Sequence, residues 1–144
     1  MTGDWFVDTN VFIYVHDSTE PEKQRAASTW VEWLWRTRRG QVSVQVLQEF
    51  YNAATRRLTN PLSREAAQAR VRQLFAWRPI PMGTEVLEAA WAVQDRYGLS
   101  WWDSLSVGAA QRAGCQYLLT EDLQTGQDLG GVVVVNPFVQ SPEA

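Results

Sequence analysis

Four consecutive valines, Val132 to Val135, constrain this chain more than any other feature. A strand with one solvated face alternates apolar and polar residues, so a run that is apolar at every position needs cover on both faces. Trp5-Phe6-Val7 and Gln116-Tyr117-Leu118-Leu119 are short runs of the same kind. Between them the apolar period changes to that of helices. Ala27, Trp30, Val31 and Leu34 recur at helical spacing after a polar stretch ending in Pro21, with Gly40 as a stop signal. Gln41 to Val46 alternates like a strand, and Leu47, Phe50, Tyr51, Ala54 and Leu58 then form a helical face. Ser63 is a plausible N-cap for a helix through Ala67, Val71, Leu74 and Phe75. Pro79-Ile80-Pro81 allows at most a short edge strand. A helix is predicted over about 84–97, ended by Gly98. Another spans about 101–113, with Trp102, Leu105, Ser106, Ala109 and Ala113 on one side and Gly114 after it. Strands alternating with helices, some apolar on both faces, predict a parallel sheet covered by helices on both sides.

The length of 144 residues fits one domain, with neither repeats nor a linker; 140–144 read as a loose tail after a domain over 1–139. No apolar run is long enough to span a membrane, and MTGDWFVDTN lacks the basic region of a signal peptide, so a cytoplasmic location is expected. Single counts exclude whole chemistries. Cys115 alone allows no internal disulfide or multi-cysteine zinc site, and His16 alone allows no histidine-rich metal centre. His16 reads as a helix-end residue and Cys115 as the start of a strand. Carboxylates are abundant, so a bound metal would be a hard ion with oxygen ligands. The net charge of −3 conceals a segregation: residues 36–78 carry nine arginines and two acids, a local +7, against −10 elsewhere. An acidic protein of this kind can still meet a polyanion if those arginines share a face.

In a parallel α/β sheet the carboxyl ends of strands and the amino ends of helices meet at one edge, where such folds bind ligands. Asp8 follows the first strand, Glu49 lies in the first turn of the predicted helix after the second, and Asp103 opens a helix that precedes a strand. Glu121 and Asp122 follow that strand. Each acid has a plainer reading. Asp8 can cap a helix beginning near Asn10, Glu49 falls on the face opposite Leu47, Phe50 and Ala54, Asp103 stands in a capping box with Ser100, and Glu121-Asp122 suit a turn. Together, however, they would repel one another at one edge, and a divalent cation is the usual resolution.

These residues resemble the PIN-domain proteins of the VapC toxin type. The likeness rests on Phe6-Val7-Asp8-Thr9-Asn10-Val11-Phe12, Glu49, Ser100-Trp101-Trp102-Asp103-Ser104-Leu105, Leu118-Leu119-Thr120-Glu121-Asp122-Leu123-Gln124 and Val135-Asn136-Pro137-Phe138. It runs in order from about residue 4 to 139. What it implies is a single PIN-like α/β/α sandwich with a central parallel sheet of about five short strands. It further implies a Mg²⁺- or Mn²⁺-dependent endoribonuclease, the toxin of a type II toxin-antitoxin pair, with a VapB-type antitoxin and a homodimer as its associations. Its acidic quartet would be Asp8, Glu49, Asp103 and Asp122, surrounded by Thr9, Asn10, Thr120 and Glu121; either Glu121 or Asp122 could point inward, and the family pattern favours Asp122. Asp8, Asp103 and Asp122 would hold one or two metal ions, with Glu49 as an outer ligand or water-orienting base.

Carboxylate-held cations suit phosphodiester hydrolysis because they activate water and receive charge without a histidine base. Arg38, Arg39, Arg56 and Arg57 are candidates for RNA backbone contacts, which give affinity rather than sequence choice. Trp33 and Trp35 lie about 200° apart around one helix, so both cannot face inward; they are candidate anchors for the antitoxin. A dehalogenase-type phosphatase would need an Asp where Asn10 stands, and a receiver domain would need a lysine late in the chain, whereas Lys23 is the sole lysine. The remaining alternative is a non-catalytic α/β protein-binding module whose acids are structural caps.

Overall fold

The sheet has the order β2-β1-β3-β5-β4 in a computed structural model that describes residues 4–142. Along the chain run β1 (Trp5–Val7), α1 (Thr9–Val15), α2 (Pro21–Thr37), β2 (Gly40–Gln41), α3 (Val44–Arg56), α4 (Arg64–Leu74), α5 (Thr84–Tyr97), α6 (Trp101–Arg112), β3 (Tyr117–Leu119), β4 (Asp128–Leu129) and β5 (Val132–Val135). The first four strands in the order pair in parallel, giving the expected α/β/α sandwich. Phe6, Val7, Leu118 and Leu119 have no exposed surface, as strands apolar on both faces require. β4 departs from the parallel expectation. It pairs antiparallel with β5 through Gly130 and Gly131, both at positive φ, the backbone that a two-residue hairpin turn demands. A two-residue strand carries no periodicity, although the glycine pair was a legible turn signal.

Several boundaries move. The alternation over 41–46 is a strand only at Gly40–Gln41, because the Ser43 hydroxyl accepts from the Val46 N–H at 3.2 Å and caps a helix that starts at Val44. Glu49 therefore sits in the second turn of α3 rather than the first. Nor does Gly40 stop α2, which ends on Arg38 in the left-handed conformation (φ 59°) while Gly40 enters β2 beneath the Trp77 ring. Phe75 starts a short 3-10 turn and is 57% exposed, and Trp102 is 60% exposed, so neither joins the core face that spacing assigned to it. Pro79-Ile80-Pro81 makes a single bridge, Ile80 to Ser43. Ser63 caps α4 and Gly98 ends α5, as expected.

Trp30, 1% exposed, donates its indole N–H to the carbonyls of Pro137 and Gln140 at 3.2 and 3.0 Å, fastening the segment after β5 to α2. Gln140, read from the sequence as the first residue of a loose tail, is held by that bond; Glu143 and Ala144 lie outside the described residues. Cys115 is buried just before β3, and desolvation pushes its thiol up to about 12, which keeps it from acting as a nucleophile. His16 caps the end of α1, as read from the sequence. No helix among the described residues is long and apolar enough to cross a membrane.

Helices α5 and α6 pack backbone to backbone at Gly108. A Cβ there would stand 2.8 Å from the Ala90 backbone nitrogen and 3.1 Å from its Cα. Backbone cannot rotate aside as a side chain does, so Gly108→Ala should lower the unfolding free energy by about 1–3 kcal/mol, the usual penalty of overpacking. Urea unfolding measures it; an unchanged midpoint would show that the helix pair separates freely.

Candidate active site

β1 and β3 end level with each other. Val7 pairs with Leu119, and the Asp8 N–H donates to the Leu119 carbonyl at 3.0 Å, so Asp8 and Thr120 leave the sheet side by side. The Thr120 hydroxyl donates to Asp8 Oδ2 at 2.9 Å, and the Thr9 N–H donates to Asp8 Oδ1 at 2.8 Å. Asp8 thus does cap α1, as the plainer reading held, while its other oxygen faces across to the end of β3. α6 runs back against β3, which brings its amino end to the same edge. The Asp103 N–H is capped by the Ser100 hydroxyl at 3.2 Å, leaving the Asp103 carboxylate directed to the cluster. One oxygen each from Asp8, Asp103 and Asp122 lies within 4.8 Å of the others.

The structure separates the two adjacent acids after β3. Asp122 accepts from the Asn10 amide at 3.1 Å and joins the cluster, whereas the Glu121 carboxylate turns away to Tyr14 and Lys23. Asn10 also donates to the Thr120 hydroxyl at 3.0 Å, which in turn accepts from the Asp122 N–H at 3.1 Å. Glu49 stands beside this group rather than in it. Its Oε1 accepts from Gln45 at 3.1 Å and from the Thr9 hydroxyl at 3.4 Å, so it is half-buried and oriented rather than solvated as its helix face suggested.

Sequence reasoning missed two contributors. The Ser106 hydroxyl, read as part of the apolar face, lies 3.5 Å from Asp8 Oδ1; its position three residues after Asp103 was the available signal. Gln45, four residues before Glu49, was the other.

Burial pushes the Asp8 carboxyl up to about 6, with Asp122 and Glu49 adding to the rise and the Thr9 and Thr120 donors opposing it. Asp122 is also raised, first by burial and then by Asp103. Among the described residues no Lys or Arg forms an ion pair with Asp8, Asp103 or Asp122. An all-oxygen set with unbalanced negative charge fits a hard divalent ion. Oxygen ligands around a small divalent ion stand about 3 to 4.2 Å apart, and Asp8, Asp103 and Asp122 are the residues that would hold one.

The arginine candidates divide. Arg38 and Arg39 precede β2, at the sheet edge opposite Asp8, and Arg39 grips buried Asp4 with two hydrogen bonds of 3.0 and 2.7 Å. That pair is structural, which removes Arg39 from the residues available to a ligand. Arg56 and Arg57 are exposed at the end of α3, about 10 Å along the helix axis beyond Glu49. Trp33 is half-buried, edge-on to Trp5 and Trp30 with the Arg39 guanidinium over its ring, while Trp35 is 39% exposed beside Trp77.

The family model described as PIN domain matches residues 5–125. No curated protein matches the chain in sequence. Among solved structures, a toxin-antitoxin complex from Klebsiella pneumoniae shares the fold, with a TM-score of 0.58 and 20% identity over 92% of this chain and 96% of that one.

A carboxyl group raised in the folded state binds its proton more readily there than in the unfolded chain. Its contribution to stability is complete below the unfolded value near 4 and is lost as pH rises through about 6. Metal-free protein should therefore lose on the order of 2–3 kcal/mol from Asp8 between pH 4 and pH 7. Thermal unfolding compared with Asp8→Asn isolates this loss, since other groups, including half-buried His16, are common to both proteins. Parallel pH profiles for the two would contradict it.

Proposed function

The chain belongs to the PIN domain family, and from that premise we propose that it is a Mg²⁺- or Mn²⁺-dependent endoribonuclease serving as the toxin of a type II toxin-antitoxin pair. The observation that carries this reading is the convergence of Asp8, Asp103 and Asp122, from three distant segments, with no ion pair to a basic side chain among the described residues. A bound divalent ion would supply an activated water and a partner for charge on the phosphoryl oxygens. Asp8 would be the central ligand, because burial and two short hydrogen bonds hold its carboxylate in place. Asp103 and Asp122 are progressively more exposed and leave the solvent side open for a phosphodiester. Glu49, oriented by Gln45 and Thr9, is the group we assign to accept a proton from water.

RNA as substrate is supported by the resemblance to VapC-type toxins, and an antitoxin as partner by that resemblance together with the fold shared with the Klebsiella toxin-antitoxin complex. Exposed Arg56 and Arg57 are the guanidinium groups we assign to backbone phosphates, and Trp35 is the indole we assign to the antitoxin contact. The alternative, a binding module whose acids only cap helices, accounts for Asp8 on α1. It leaves unexplained why Asp122 and Asp103 are brought against a buried carboxylate.

Purified protein should cleave single-stranded RNA with Mn²⁺ or Mg²⁺ and stop on chelation. Asp8→Asn should fall below detection, and Thr120→Val should lose about 10- to 100-fold in metal affinity or rate, as loss of a ligand-orienting partner does. Gel assays at several metal concentrations measure both; cleavage that persists in Asp8→Asn refutes the assignment. For the partner, Trp35→Ala should weaken binding of the cognate antitoxin about 30-fold, the effect of losing a well-packed anchor. Equal affinity by calorimetry would remove Trp35 from that interface.

A further inference from the structure

We propose that Lys23 and Tyr14 form a latch that positions Asp122 by holding Glu121 out of the carboxylate cluster, an inference that rests on the metal-binding reading above. Glu121 and Asp122 leave β3 in succession, and only one of two adjacent acids can enter the cluster without adding a further negative charge to it. The Tyr14 hydroxyl donates to Glu121 Oε1 at 2.7 Å, and Lys23 Nζ donates to Oε2 at 2.9 Å. Both carboxylate oxygens are thereby occupied. Lys23 Nζ lies 3.4 Å from the Tyr14 oxygen and over the rings of Tyr14 and Phe138, at 4.9 and 5.2 Å from their centres. Phe138 meets Tyr14 edge-on at 5.1 Å.

Isolated surface ion pairs contribute little. This one is different in construction: α1, α2 and the segment after β5 converge on a Glu121 side chain that is only 22% exposed, and Lys23 is the sole lysine of the chain. On the opposite side the same loop is tied to Asn10. The Glu121 N–H donates to Asn10 Oδ1 at 3.4 Å, and the Asn10 amide donates to Asp122 Oδ2 at 3.1 Å. The loop is thus clamped from both sides, with Asp122 aimed at the cluster between the clamps. A lysine near a cation site opposes cation binding by charge alone, so geometry and electrostatics make opposite forecasts for its removal.

The test is Mn²⁺ titration by calorimetry of the full chain, wild type against Lys23→Met and Lys23→Arg, with amide hydrogen exchange of 120–123 measured in metal-free protein. A latch predicts about 10-fold weaker Mn²⁺ binding in Lys23→Met. It also predicts faster exchange at Glu121 and Asp122, and recovery of both in Lys23→Arg. Equal or tighter Mn²⁺ binding in Lys23→Met overturns the proposal, as does unchanged exchange. If the wild-type chain binds no Mn²⁺, the metal reading fails, and the exchange comparison still decides the latch.

Discussion

The parallel pairing of β1 with β3 is the contact on which the rest of this molecule depends. Three residues of each strand are in register, and the ladder continues one step further through the Asp8 N–H to the Leu119 carbonyl. Side chains alternate faces along a strand, so a slip of one residue would turn Phe6 and Leu118 over and send Asp8 away from Thr120. The strands are short, and the register is held by complete burial of Phe6, Val7, Leu118 and Leu119 between helices. A hydrophobic requirement thereby sets the geometry of a polar site 112 residues apart in sequence.

The same carboxylates serve two physical roles. Helix amino ends carry unsatisfied N–H groups and favour negative charge, so acids placed there are locally stabilising. Asp8 caps α1, and Asp103 sits in the first turn of α6. Bringing those helix ends to one sheet edge then concentrates charge that no individual cap would generate. Burial and mutual repulsion raise Asp8 and Asp122, and hydrogen bonds from Thr9, Thr120 and Asn10 only partly offset this. Local capping and collective repulsion are both true of these acids, which is why the capping and metal-holding readings of the sequence were never exclusive.

Legibility followed periodicity. Helix α5 and the strands at Trp5–Val7 and Val132–Val135 were readable because several successive residues share one pattern. Where a pattern is short or is interrupted by a capping residue, the reading fails. Alternation across 41–46 ignored the Ser43 cap, and the two-residue β4 left no trace beyond Gly130-Gly131. Trp102 and Phe75 were placed on apolar helix faces yet are exposed, because spacing reports which side of a helix a residue occupies, not whether anything covers that side. Arg39 shows the same limit for charge: its guanidinium is engaged by Asp4, a residue 35 positions away.

By itself, the sequence determined the α/β/α class, the exclusion of histidine-rich and multi-cysteine metal centres by a lone histidine and cysteine, and the acids that would stand at strand and helix ends. These are properties of local pattern and composition. Only the tertiary structure decided that Asp122 rather than Glu121 meets Asp8 and Asp103, that Glu49 is held beside them, and that Arg39 is committed to Asp4. The reason is physical: where a side chain points depends on partners contributed by distant segments, and Tyr14, Lys23 and Thr9 set orientations that no local pattern encodes.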